Sequence, residues 1–322
     1  MTPRRFLVLL TGALAMIGLA LWLSSQRHLP RDADFGAAAL PGLAGQLDAV
    51  TGVRLVGPGN ATLVSLAKTG DGWRVEEAGY AADAGRVRGL LVALGELEVV
   101  EPKTAIAANY PVLGVEDVAA VSAGGVRIEL QGLREPLALV VGRSPGPRST
   151  FVRRAHAAQA LEVRPALEVP REPRAWLDRR VVDVAAERIA SIEIDGERHA
   201  PDAVPGQSGT LGNLEFDAVE RASDFAATGA PRVATWRTRE GLVLRFEGYD
   251  VGSDRWLALT ASAEAPAGNE RPSGTPAGTS GEAPDAAAEA ERLAARARDW
   301  RYRVPQFRWE AIFRRPDAAE AP

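Results

Sequence analysis

Cysteine is absent from the 322 residues, lysine occurs only at Lys68 and Lys103, and histidine only at His28, His156 and His199. Without cysteine there is no disulfide, no thiolate metal site and no acylated cysteine behind an apolar leader. The three histidines stand far apart and match no ligand spacing such as H-E-x-x-H, so no metal ligand is assigned. A P-loop, a G-x-G-x-x-G and a G-x-S-x-G are also missing. Gly206-Gln207-Ser208-Gly209 comes nearest to the last, but it lacks the final glycine and sits among turn residues. No catalytic, cofactor-binding or metal-binding residue is therefore read from the chain, and no cofactor is expected.

Beyond Arg31 there is no long apolar run; before it there is one. Phe6 to Leu23 is uncharged and apolar, preceded by Arg4 and Arg5 and closed by Ser24, Ser25, Gln26 and Arg27. Its length at about 1.5 Å per residue is roughly 27 Å, close to a bilayer core of about 30 Å. A secretory signal has a shorter core and small residues before the cut, whereas a cut after Ser25 would leave Leu23 at a position that wants a small side chain. The segment 1–30 is therefore read as a retained single-pass anchor in a bacterial inner membrane. The arginine pair places the N-terminus in the cytoplasm and the body in the periplasm, although Arg27 and Arg31 pull the other way.

The composition of the remainder, within a chain 46% hydrophobic and 25% charged, is that of a folded protein. Removing the four arginines of residues 1–31 leaves 34 basic residues against 42 acidic ones, a body near −8. That sign argues against a nucleic-acid partner and against electrostatic attachment to anionic lipid.

After a flexible stretch from Pro30 to about Gly45, strand signals begin at Val50, Val53, Leu55 and Val56. Thr62 to Lys68 and Trp73 to Glu76 alternate about the turn residues Gly70-Asp71-Gly72. Asp83 then precedes a helix with Val87, Leu90, Leu91 and Leu94 on one face, ended by Gly95. Strands are expected at Leu97–Val100, Gly125–Leu130, Leu137–Val141, Thr150–Arg153 and Leu161–Val163, with an ordered turn at Tyr110–Asp117. A short helix from Trp176 to Val182 opens a second section. There Ile189, Ile192, Ile194 and Gly196 repeat Val50, Val53, Leu55 and Gly57 at constant offset, with Glu193 where Arg54 stands. Two related modules in tandem are one account, and the commonness of V-x-x-V-x-V strands is the other.

Residues 265–284 are Pro, Gly, Ser, Thr and Glu with almost nothing apolar, a disordered linker by composition. A helix-forming segment, 286–298, and an aromatic tail follow. Trp300, Tyr302 and Val304 alternate as in a strand, so the tail is expected to dock on the edge of the second module's sheet. The fold class is thus α+β: an anchor at 1–30, a first β-rich α+β module at 31–170, a second at 171–264, the linker at 265–284, and a C-terminal helix and aromatic tail at 285–322.

Acid pairs occur at Glu76-Glu77, Glu116-Asp117 and Glu96/Glu98, and there are seven tryptophans. Acids meeting in a cleft beside a tryptophan would make a periplasmic glycan-binding or cell-wall-modifying enzyme, but spacing alone does not bring them together. Solvated turns account for the acids, and core packing for Trp236 and Trp256.

The ordered set of the anchor, Gly72-Trp73, the Ala82-Asp83 helix with Leu90-Leu91 and Leu94, Leu113-Gly114-Val115, Phe151-Val152-Arg153 and Trp176-Leu177-Asp178-Arg179 resembles DUF4340, a bacterial domain of unknown function, over about Val50 to Thr260. The resemblance implies a single-pass envelope protein of the kind often encoded beside ABC-transporter components of the gliding-motility type. It brings no catalytic residue. Its implied partners are the inner membrane, through Phe6 to Leu23, and a protein of an ABC-type export complex, for which this chain would be a non-enzymatic accessory subunit.

Overall fold

The computed structural model describes residues 35–70, 72–227, 229–265 and 285–316, together with Met16. Apart from Met16, the apolar run Phe6 to Leu23 lies outside the described residues, as does the expected linker after Ala265. Among the described residues no helix is long and apolar enough to cross a membrane. The chain divides into two compact units, Met1–Gly70 with Gly85–Glu172 and Asp71–Ala84 with Pro173–Pro322. Residues 71–84 thus group with the second unit, not with the segment that flanks them in sequence.

In chain order the strands and helices up to Glu172 are β1 (Gly52–Val56), β2 (Thr62–Thr69), β3 (Gly72–Val75), β4 (Tyr80–Ala81), α1 (Ala84–Gly95), β5 (Glu98–Pro102), α2 (Tyr110–Leu113), β6 (Val126–Gln131), β7 (Leu137–Val141), β8 (Thr150–Arg154) and β9 (Ala160–Arg164). There follow β10 (Arg180–Val182), β11 (Ile189–Ile194), β12 (Glu197–His199), β13 (Leu214–Glu215), β14 (Ala218–Arg221), β15 (Arg232–Thr238), β16 (Leu242–Val251), β17 (Asp254–Ala263), α3 (Ala286–Ala297), β18 (Trp300–Val304) and α4 (Gln306–Ile312). The protein is mixed α+β and sheet-rich, and its ladders are antiparallel.

In the first unit the strands lie side by side in the order β2-β1-β6-β7-β8-β9-β5, each antiparallel to its neighbour. Period-two alternation makes this sheet: Val126, Ile128 and Leu130 of β6 are buried while Arg127 and Glu129 turn outward. The stripe Val87, Leu90, Leu91 and Leu94 of α1 is buried, as the 3.6-residue period requires. Each such side chain contributes about 1.5–3 kcal/mol on burial. α2 ends where Gly114 takes a left-handed conformation at φ 71°, which turns Val115 into a cluster with Val56, Tyr110, Val118, Val140 and Ala160.

The flexible stretch expected up to Gly45 is, from Phe35 onward, part of the first unit. The Gly36 and Ala39 N–H groups donate to the Val99 and Leu97 carbonyls at 2.8 and 2.7 Å, and the Val99 N–H donates to Ala37 at 2.9 Å. Leu40 and Leu43 are each 2% exposed. Glycine and alanine in 36–39 obscure a segment whose order comes from β5, a partner some sixty residues away in sequence.

The second unit repeats the strand order. Its main sheet runs β12-β11-β15-β16-β17-β18-β14, again antiparallel throughout. Counted along the chain, the seven strands of this sheet and the seven that belong to the first unit, which leaves out β3 and β4, both read 2-1-4-5-6-7-3. Val50, Val53 and Leu55 in one unit and Ile189, Ile192 and Ile194 in the other are all buried. The outward charges are exchanged: Arg54 pairs with Glu129 of β6 at 2.5 Å, and Glu193 with Arg237 of β15 at 3.1 Å.

Two expectations for this region are corrected. The segment Trp176–Val182 is not one helix. A 3-10 turn spans Pro173–Trp176, and Arg180–Val182 is strand β10, paired with β13, because Val181 and Val182 favour an extended chain. The tail also does more than dock on a sheet edge. β18 lies between β17 and β14, an interior strand, and Trp309, Ile312 and Phe313 behind it are buried. α3 starts at Asp285, whose carboxylate accepts from the Ala287 and Ala288 N–H groups at 3.0 and 3.3 Å.

Candidate functional site

The residues singled out as chemistry-bearing are dispersed. His28 lies outside the described residues, His156 is exposed in the first unit, and His199 in the second unit is half-buried against Gln207 at 3.1 Å. Gln207, from the stretch that resembled a nucleophile turn, is a structural clamp: its amide donates to the Ala311 and Arg314 carbonyls at 3.1 and 2.7 Å. Among the described residues no three His, Cys, Asp or Glu side chains group as metal ligands. Glu76 and Glu77 are exposed. Glu116 accepts from the Gly124 N–H at 2.8 Å, and Asp117 from that of Ala119 at 2.9 Å. Glu96 and Glu98 do share an open depression of about 740 Å³, with Arg148 and Arg164, where Glu98 pairs with Arg164 at 2.9 Å. Trp176, Trp236, Trp256 and Trp309 are buried, and Trp73 and Trp300 are half-buried.

A more enclosed cavity, about 560 Å³, lies in the first unit between the β6–β7 turn, the end of β8 and the segment 41–46. Gly132 begins the turn at φ 89°. A Cβ there would stand 2.3 Å from the Ala49 carbonyl oxygen and 2.8 Å from the Thr51 nitrogen, so only glycine lets the turn lie this close to the start of β1. The turn then carries Leu133, Arg134, Glu135 and Pro136 into the wall. Opposite, the Ala155 N–H donates to Ala138 at 2.9 Å, continuing the β7–β8 ladder, and Ala157 donates to Arg154 at 3.0 Å to curl the chain back. Arg154 Nη2 donates to the Ala39 carbonyl at 2.9 Å and so ties this wall to the N-terminal segment.

The lining has two characters. Pro41, Leu43, Leu133, Pro136 and Leu137 give an apolar floor, while Arg134, Arg154 and His156 bring basic groups against one acid, Glu135. Among the described residues Arg134, Glu135 and His156 form no side-chain hydrogen bond or ion pair, and Arg154 forms only its bond to Ala39. Such a site can hold a small ligand with an anionic group and an apolar portion. The sequence did not single it out. Gly-Leu-Arg-Glu-Pro and Arg-Arg-Ala-His stand about twenty residues apart, and only the β7–β8 pairing joins them.

The second unit treats the corresponding place differently. Its sixth and seventh strands, β17 and β18, are separated by the segment containing α3, and Glu289 in the first turn of that helix grips Arg188 through both carboxylate oxygens at 3.2 and 2.7 Å. Glu240, at the β15–β16 turn, meets the same guanidinium at 3.4 Å. The bond to Glu289 holds Arg188 above the ordinary arginine range, against the opposing effect of burial. There the cation is consumed by the protein itself.

Residues 73–228 match the domain of unknown function DUF4340, and the chain carries that domain there. The match is narrower than the Val50 to Thr260 suggested by the resemblance, starting in β3 and ending beyond β14, and so includes parts of both units. No curated protein and no solved structure matches the chain.

Proposed function

We propose that this DUF4340-containing chain is a membrane-tethered periplasmic accessory subunit. Its two sheet-rich units, read as a tandem duplication of one seven-stranded module, are presented to an ABC-type export complex of the cell envelope. One observation carries the reading: the chain is seated in the first unit from Gly36 onward by its bonds to β5. Only residues 24–35 then separate that unit from the end of the apolar run, a span of at most about 40 Å when fully extended. A body held that short a distance from a bilayer suits a subunit working on a membrane complex. The transporter partner is the one that resemblance to DUF4340 implies. Against a glycan-active enzyme, Trp176, Trp236, Trp256 and Trp309 are occupied in packing.

Extraction of the full chain in mild detergent, followed by affinity capture and mass spectrometry, tests the reading. Stoichiometric recovery of an ABC-transporter membrane subunit is expected. Recovery of the chain alone, after crosslinking in intact cells as well as in detergent, would overturn it.

A further inference from the structure

We infer that the cavity between the β6–β7 turn and the end of β8 binds the phosphate group of an anionic phospholipid. The phosphate chemistry stands on the cavity itself; the lipid as its source rests on the membrane-tethered reading.

The lining selects the ligand class. Arg134 and Arg154 offer guanidinium groups suited to a phosphate oxygen pair, with His156 beside them, and Leu43, Leu133 and Leu137 form an apolar floor for a glycerol and the first carbons of an acyl chain. A volume of about 560 Å³ suits a headgroup with part of its backbone.

The short tether selects the source. Residues 36–39 pair antiparallel with β5, with Ala38 opposite Glu98, so the chain is seated in the first unit about a dozen residues after the apolar run, and Pro41 and Leu43, directly beyond that pairing, line the cavity. Phe35 and Ile106, 49% and 64% exposed, offer apolar side chains to an interface.

The second unit supplies an internal contrast. Its basic group beside the fourth-to-fifth strand turn, Arg188, is neutralised by Glu240 and Glu289. In the first unit a short connection, 155–159, stands where the second carries α3, and Arg134 and Arg154 have no carboxylate partner among the described residues.

Hydrogen exchange of the full chain in nanodiscs tests the inference, comparing phosphatidylcholine alone with phosphatidylcholine containing phosphatidylglycerol. Slower exchange at residues 133–138 and 154–157 only with phosphatidylglycerol is expected. Arg134→Glu, an exposed turn substitution, should abolish that slowing with an unchanged melting temperature. Arg134→Ala should raise the phosphatidylglycerol content needed for half-protection about tenfold. Equal exchange in both discs, or slowing that survives Arg134→Glu, would overturn the site. Slowing by inorganic phosphate in detergent micelles without anionic lipid would overturn the lipid source. A chain that fails to enter nanodiscs at all would overturn the tether, and with it that source, while the phosphate titration still judges the cavity.

Discussion

Arg153 is 6% exposed, yet it carries a charge that the first unit uses as a clasp. Its Nε donates to the Val115 carbonyl at 2.8 Å, its Nη1 to Ala157 and Ala155 at 3.0 and 3.2 Å, and its guanidinium lies 4.6 Å from the Tyr110 ring centre. Ala155 and Ala157 also line the cavity, so this buried cation shapes the wall without facing the ligand. Arg153→Ala should cost about 3 kcal/mol or more in urea unfolding, since carbonyls are left without donors. Arg153→Lys should fail to rescue most of it, because a point charge cannot serve carbonyls in several directions and stack on a ring. Two carboxylates among those held low should contribute to acid stability. Hydrogen bonds from Lys103 and then Ser149, both at 2.7 Å, hold Glu162 below the usual carboxylate range. A bond from Arg198 does the same for Glu193, against burial and with Arg237 assisting. A folded pKa below the unfolded one means stabilisation that is whole above about pH 4.5 and fades as pH falls through the folded value. Glu162→Gln and Glu193→Gln should thus lower the melting temperature at pH 7, and the difference from the parent should shrink toward pH 2. A difference that persists unchanged at pH 2 would show that packing is the cause.

At the scale of elements, β16 meets the end of the C-terminal helix α4 in close contact. A Cβ added at Gly248 would stand 2.5 Å from the Phe313 ring and 2.9 Å from Trp309 Nε1, so glycine is what lets α4 seat on the strand. Gly248→Ala should destabilise the second unit by about 1–3 kcal/mol through overpacking, and Phe313→Ala by about 3–5 kcal/mol through the lost ring. In the double variant the new methyl enters the space vacated by the ring, so the combined loss should fall short of the sum. Strict additivity in a double-mutant cycle would show that the two side chains do not meet.

For the whole molecule, deletion of residues 1–34 should leave a body that folds and stays in solution without detergent. Every strand and helix described above lies downstream of the cut, and the two sheets bury their own apolar faces. Circular dichroism and gel filtration in detergent-free buffer check this. A truncated body still needing detergent would reveal a second membrane-binding surface. The same deletion should also separate the tether from the cavity, because the lining begins at Pro41.

Local periodicity determined much of this protein. The stripe Val87, Leu90, Leu91 and Leu94 can be buried only on a helix, and β7 occupies the expected residues Leu137–Val141, because those patterns repeat within a few residues. The tail's alternation likewise marked Trp300, Tyr302 and Val304 as strand. Tertiary structure decided what depends on partners distant in sequence. Residues 36–39 have too little apolar character to announce the order they gain from β5, and β18 takes an interior place because β14, more than eighty residues earlier, lies on its far side. The cavity belongs to this second kind. Arg134, Arg154 and His156 carry no mutual spacing that points to a site, and they become one only where antiparallel pairing of β7 and β8 lays two turns side by side.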